Sequence, residues 1–552
     1  MNGPAVAAPP LAHSPAVADP TGARATGRAA ATLRAVSHLA AELPIVVLGV
    51  VELARGWRPL YDNADLALRS YQVFSSHTPL VGHEMAVSVG THPVFGPGPV
   101  QNWVLAVPVR MDPAQGVLWG SVVAVVIAMA LAVEASWSVA GWRGAAAASG
   151  SVLVLGLART DVALDVAWNV WFGLFFLFTT VATGSAVATG RLRWWPVTVV
   201  AATVVVQCQA AFAPPAVAVC VLAPVIGVVA ARPASGRTGL GGLLVGSVVG
   251  EFLWVPPVVQ QVTSGPGNLT LLARAARDSG PSIGVTAALR ALGGATWLPP
   301  SWVHPLPPPG AALFFAIARL FAGPAWWGVG VLVLLAAVAG VAWHTGRMPL
   351  AATAAVVLIL AAGAVVAIAS VPASQFLVVG YLGALWVLVG TAVWVTFAWA
   401  AGSVVAVVVR RRRDDGHGRG VHPGWTRPAM VATAVVLMAL AAGVVWRGLD
   451  RMDGITPALV GWPAVHATAE AADAVQQVAP HGPFRLEIAG PGSATHFAVE
   501  TGVAYLLVTR GYDPRPDSPV GYATFGRPPD HGPTVVLSLP GDGRVAARRV
   551  DG

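Results

Sequence analysis

As far as Trp446, the chain alternates between long apolar runs and polar breaks; beyond it the alternation stops. Runs near 38–56, 114–134, 145–159, 168–188, 195–212, 214–231, 240–260, 324–343, 350–371, 376–409 and 429–446 approach the roughly 20 residues that a helix needs to cross hydrocarbon. They predict about eleven transmembrane helices. The run 376–409 has the length for one tilted helix or two short ones, and GAALFFAIARLFA (310–322) reads as a re-entrant or interfacial helix. Two long polar interruptions, 57–112 and 261–310, separate runs. After Trp446 the pattern is that of a water-facing domain. AVHATAEAADAVQQV (464–478) has helical periodicity, FRLEIAG (484–490) and TVVLSLP (534–540) read as strands, and HFAVETGVAYLLVTRG (496–511) reads as helix then turn. The predicted fold class is an all-α polytopic membrane protein over 36–446, followed by a small α/β domain over 447–552. Residues 1–35 read as a disordered tail, and with no small-residue cleavage site after the first run, no cleavable signal is expected.

Composition supports the membrane reading. The chain is 55% hydrophobic and 11% charged, with a mean hydropathy of +0.68, whereas soluble domains carry about 25% charged residues. The net charge of +8 is not a nucleic-acid signal, because every basic side chain other than histidine is arginine and many lie in short turns. Arg24, Arg28 and Arg34 precede the first run or stand at its start. Arg143, Arg191, Arg193, Arg232, Arg237, Arg347, Arg410 to Arg413 and Arg419 then fall in alternate turns. The positive-inside rule places those turns and the N-terminus in the cytoplasm, and both large loops and the C-terminal domain outside a plasma membrane. Cys208 and Cys220 lie in apolar runs and read as inert core thiols.

Chemistry concentrates where polar residues meet the membrane edge, since ionisable groups are expensive near hydrocarbon. The first loop carries Asp62 and Asp65, three apart and so on one helix face, with Arg69 four residues after Asp65. One aspartate is a candidate general base, and Arg69 a candidate phosphate ligand. The bland alternative is a helix cap with a solvated face. His92-Pro93 and the glycines and prolines after it predict a rigid turn, followed by an interfacial helix from Val100 to Arg110. His92 reads either as a ligand for phosphate or a sugar hydroxyl, or as a turn histidine at headgroup level. His83 and Glu84 are adjacent and do not share a face in regular structure, and the spacing supports no three-histidine metal site. In the second outside loop, Asp161 and Asp165 share a helix face, as a second acidic site or as caps of the fourth span. After Pro256-Pro257, the side chains of Gln260, Gln261, Asn268 and Arg274 suit sugar hydroxyls and phosphate, although polar residues just past a span are ordinary. Asp62, Asp65 and Asp161 would hold a divalent Mg or Mn ion if one is used; paired carboxylates suit such ions, but nothing in the sequence demands one. PGSATH (491–496) lacks the spacing of a nucleotide fingerprint.

These elements resemble the GT-C superfamily of polytopic glycosyltransferases, and most closely its actinobacterial members. The resemblance rests on Asp65-Leu66-Ala67-Leu68, Thr78-Pro79-Leu80-Val81-Gly82, His92-Pro93 with Gly98-Pro99, Pro256-Pro257 and Gly267-Asn268-Leu269. It implies transfer of a sugar from a polyprenyl-phosphate donor to an envelope glycan, lipid or protein acceptor on the outer face, with Asp65 as the family's aspartate and Asp62 behind it. No nucleic-acid partner is implied; the bilayer is one. The family run HPGP is split here as HPVFGPGP, which keeps a catalytically inactive envelope scaffold open as an alternative. A multi-pass transporter or flippase is the other; it predicts mid-span charges and internal repeats, and the sequence shows neither clearly.

Overall fold

The computed structural model describes residues 20–230, 236–303, 319–374, 382–414, 426–455, 462–489, 494–517, 525, 532–538 and 545–550. Helix α1 (Pro20–Ala54) leads into α2 (Asp62–Gln72), a hairpin of β1 (Glu84–Val89) and β2 (His92–Phe95), and α3 (Val100–Met111). Next come α4 (Gly116–Ala140), α5 (Trp142–Ala158), the short α6 (Thr160–Leu164), α7 (Asn169–Ala188), α8 (Trp195–Cys208), α9 (Ala213–Ala230) and α10 (Gly236–Thr263). The loop after α10 contains α11 (Asn268–Asp278) and α12 (Val285–Thr296). The last apolar helices are α13 (Ala325–His344), α14 (Met348–Ala369), α15 (Gly383–Asp414) and α16 (Thr426–Ile455).

This is a multi-pass membrane protein: among the described residues, 9 helical stretches are long and apolar enough to cross a bilayer. The predicted runs 145–159 and 195–212 correspond to α5 and α8, helices of 17 and 14 residues that are shorter than a full span. Both pack among the long helices, α5 on α1, α4 and α16, and α8 on α7 and α10. Within 376–409 the structure describes one helix, α15, from Gly383. Most of the predicted segment 310–322 lies outside the described residues.

Short turns make successive helices antiparallel. Arg143, Arg191, Arg193 and Arg347 therefore collect at one end of the bundle, while α2, the hairpin and α11 lie at the other. Near the arginine end, the charges inside spans neutralise one another. Arg34 and His38 of α1 both meet Glu134 of α4, and His38 also meets Glu42, 2.8 Å away.

Helix α16 continues past Trp446 to Ile455 before the C-terminal domain begins. That domain contains α17 (Trp462–Val478), α18 (Ala494–Thr509) and a 4-stranded sheet in the order β4 (Asp513–Pro516), β3 (Pro483–Ala489), β5 (Thr534–Ser538), β6 (Ala546–Val550). Strand β3 is parallel to both its neighbours, and β6 closes an edge antiparallel to β5. The expected helices and the strands β3 and β5 are present; β4 and β6 are additions. Within PGSATH, Pro491, Gly492 and Ser493 lie outside the described residues, and α18 starts at Ala494.

The domain docks on the first loop through α18. Thr501 Oγ1 accepts the Tyr61 backbone N–H at 3.0 Å, and Tyr505 donates its hydroxyl to the Pro113 carbonyl at 2.7 Å. Tyr61 has φ of 51°, a left-handed conformation that a bulky residue adopts only under external constraint. It immediately precedes α2, so the domain supports the turn that launches the acidic helix. Gly502 allows the approach: a Cβ there would lie 2.7 Å from Leu60 Cδ2 and 3.0 Å from the Pro59 carbonyl oxygen. Gly502→Val is expected to destabilise the protein by about 1–3 kcal/mol through overpacking. Thermal unfolding of the full chain in detergent checks this; an unchanged midpoint contradicts the docking.

Candidate active site

Helix α2 starts with its acids in the first turn, where the exposed N–H groups of a helix favour negative charge. Neither aspartate caps that helix, however. Asp65 is 4% exposed and is held from two sides. Arg69 Nε donates to its two oxygens at 2.9 and 3.0 Å, and His83 Nδ1 donates to Oδ2 at 2.6 Å. The other ring nitrogen of His83 lies 3.5 Å from Asp62 Oδ1, an ion-pair contact rather than a formed hydrogen bond. His83 thus spans the two carboxylates. Asp62 is the more open of the two, its side chain 31% exposed, and its Oδ2 accepts a hydrogen bond from Trp168 Nε1 at 2.9 Å.

The loop between α5 and α7 closes on the same helix. Asn63, itself buried, donates from Nδ2 to Asp165 Oδ1 at 3.2 Å. Asp161 stands one turn earlier and is gripped in bidentate fashion by Arg159, with contacts of 3.0 and 2.6 Å. The Arg159 guanidinium also lies over the Trp171 ring, 5.0 Å from its centroid. Asp62, Asp65, Asp161 and Asp165 therefore gather at one end of the bundle, as the sequence suggested for the two loops.

The electrostatics divide these carboxylates. Burial alone would raise the Asp65 pKa, but the charges of Arg69 and His83 outweigh it and hold the group well below the usual carboxylate range. For His83, burial opposes the charged form, yet Asp62 and Asp65 push its pKa up to about 10, so it is an imidazolium at neutral pH. Burial raises Asp165 to about 7; the charges of Asp62 and Asp161 act in the same direction, against the hydrogen bond from Asn63. Burial, and then the charge on Asp65, also raise Glu84.

By sequence, His83 is weighed only beside Glu84 and is not chosen as a site residue. Its partners lie 18 and 21 positions away, and the reversal of the chain between α2 and β1 brings it back to α2. The hairpin that follows holds it there, the Gly96 N–H donating to its carbonyl. His92 and Pro93, expected in a rigid turn, are instead exposed in strand β2, and the non-helical turn is Gly96–Pro99, which is buried: Gly82 donates to the Gly96 carbonyl at 3.0 Å, and Gly96 to that of His83 at 2.7 Å. A Cβ on Gly98 would lie 2.4 Å from the Gln207 side chain and 2.7 Å from Pro257, so the split run HPVFGPGP is fitted to this site. The helix expected after it is α3.

The other sequence candidates fall elsewhere. His92 is exposed at the hairpin tip, paired in register with Val89, and is not among the partners of Asp62 or Asp65. Arg274 is exposed on α11. Gln260, Gln261 and Asn268 are committed to internal bonds. Gln260 Oε1 accepts the Asn268 N–H at 2.8 Å, Gln261 Nε2 donates to Thr270 Oγ1 at 2.7 Å, and Asn268 pairs with both the N–H and the carbonyl of Phe95. The two glutamines staple α10 to α11, and Asn268 staples α11 to β2. Phe95 in turn carries Arg69 over its ring at 5.1 Å, so the loop after α10 supports the Asp65 clamp at one remove. Among the described residues no three His, Cys, Asp or Glu side chains converge as ligands, and Asp65 is already faced by two cations.

No family model matches the chain, and no curated protein matches it. Two solved structures align along most of its length. ArnT from Cupriavidus metallidurans bound to undecaprenyl phosphate aligns over 96% of this chain and 98% of its own, with 15% identity and a TM-score of 0.45. ArnT from the same organism in the apo state aligns over 92% and 97%, with 15% identity and a TM-score of 0.44. Similarity at this level assigns no activity.

The raised His83 pKa sets a pH signature. Because the folded value exceeds the unfolded value of 6.5, its stabilisation is full below pH 6.5 and is lost as pH rises toward about 10. The stability gap between wild type and His83→Gln is expected to shrink over that window in thermal unfolding scans. A gap independent of pH contradicts a charged His83.

Proposed function

We propose that this protein is a membrane glycosyltransferase of the GT-C type, which moves a sugar from a polyprenyl-phosphate carrier to a hydroxyl of an envelope acceptor on the outer face. The observation that carries the reading is Asp62: a half-open carboxylate at the membrane edge, steered by His83 and Trp168 beside the buried Asp65 clamp. The motifs of the first loop and of the Pro-Pro and Gly-Asn-Leu elements support the same class. The arginine-rich turns support a cytoplasmic N-terminus and an outward-facing site.

In this reading Asp62 takes the proton from the acceptor hydroxyl. The hydroxyl oxygen attacks the anomeric carbon, a new glycosidic bond forms, and the bond from that carbon to phosphate oxygen breaks. The carrier phosphate leaves with the electron pair. Arg69 uses Nε on Asp65, and its two terminal nitrogens face the leaving phosphate in this scheme. Asp65 itself has low basicity under two cations, so it positions rather than accepts. Charge of both signs is fixed before the substrate arrives, which is how such sites lower a barrier without reorganising.

The test is transfer of radiolabelled sugar in membranes, offering polyprenyl-phosphate sugars and, separately, nucleotide sugars. Wild type is expected to transfer only from the lipid carrier. The double variant Asp62→Asn/Asp65→Asn is expected to lose at least ~100-fold, the lower range for removing a general base. No transfer by wild type from any of several carrier-linked sugars overturns the proposal.

A further inference from the structure

A cavity lies at the end of the bundle opposite the carboxylates, between α4, α5, α7, α14 and α15. Its volume is about 380 Å³, within the roughly 300–1,000 Å³ of small-molecule sites. It runs inward from the α4–α5 turn, where Arg143 stands at its rim, past Ala147 and Ser151 toward Phe178 and Trp399. From Arg143 to Ser151 is eight residues of one helix, a depth of about 12 Å at 1.5 Å per residue.

Two features identify the occupant. First, four of the five hydroxyls on the wall have no proton to offer. Ser151 donates to the Ala147 carbonyl at 2.9 Å, Ser185 to Val181 at 2.8 Å, Thr353 to Pro349 at 2.9 Å and Thr396 to Ala392 at 2.8 Å, each within its own helix. Ser136 is the fifth. The remaining lining is mostly alanine, valine and aromatic carbon, so a polar solute would be stripped of water and met by few donors. An alkyl chain loses nothing there. Second, the rim is cationic. Arg143 is exposed, and its recorded contact is the face of Trp142, 5.2 Å from the ring centroid; among the described residues it forms no ion pair. An apolar slot with a free guanidinium at headgroup level matches a molecule with an alkyl chain and an anionic head.

We propose that this cavity binds an anionic phospholipid of the leaflet on the arginine-rich side, one acyl chain in the slot and its phosphate on Arg143. The site is remote from the carboxylates and does not depend on the activity proposed for them. An indole and an arginine side by side at the mouth fit the interfacial zone in which such heads lie.

The test is native mass spectrometry of the full-length protein in detergent, titrated with phosphatidylglycerol and, in parallel, phosphatidylcholine of identical chains. Wild type is expected to retain phosphatidylglycerol about fivefold more strongly, the factor that one arginine contributes near a lipid phosphate. Arg143→Gln is expected to remove that preference while both lipids still bind. Ala147→Phe, which fills the slot, is expected to lower retention of both. Equal retention of the two lipids by wild type, or a preference that survives Arg143→Gln, overturns the proposal. Since Arg143 is exposed, its variant remains informative even if Ala147→Phe fails to fold.

Discussion

A buried carboxylate at the edge of a membrane is costly unless its charge is met, and at Asp65 it is met twice. Arg69 comes from the next turn of the same helix, and His83 from a chain that has turned back on itself. Removing Asp65 would leave two cations facing each other in a mostly buried place, where an unmet charge costs about 3–5 kcal/mol. That constraint explains the surrounding architecture. The turn between α2 and β1 must bring His83 back, the glycines of HPVFGPGP must let the hairpin pack against it, and Asn268 must hold Phe95 under Arg69.

The first loop is also where the rest of the molecule meets. The loop between α5 and α7 reaches it through Asn63–Asp165 and Trp168–Asp62. The C-terminal domain reaches it through Thr501 and Tyr505. The left-handed Tyr61 sits at this junction, one residue before Asp62. A helix of 11 residues is too short to be stable alone. Here it is fixed from several sides, which suits a site whose geometry must be set before a substrate binds.

The membrane body was legible because hydrocarbon imposes one rule, a long apolar run per crossing, and each predicted run contains a helix. Acidic residues in loops one and two were legible because charge at a membrane edge stands out. What escaped was set by tertiary contact. His83 gained its role from a reversal of the chain between α2 and β1, which no local pattern marks. Gln260, Gln261 and Asn268 looked like sugar ligands because amides at a membrane edge suit hydroxyls, but the same amides also satisfy backbone at a tight helix–helix turn. In the C-terminal sheet, β4 reads DPRP and β6 reads AARRV. Neither shows strand alternation, because one is proline-rich and the other is a largely exposed edge.

In the proposed reaction the two aspartates divide the labour: Asp65 holds the site together and Asp62 takes the proton. Turnover and thermal unfolding measured side by side for Asp62→Asn and Asp65→Asn separate the two roles. Asp62→Asn is expected to lose turnover at an unchanged unfolding midpoint, whereas Asp65→Asn is expected to lower the midpoint as well. Full turnover in Asp62→Asn, or a stable and inactive Asp65→Asn, would contradict that division.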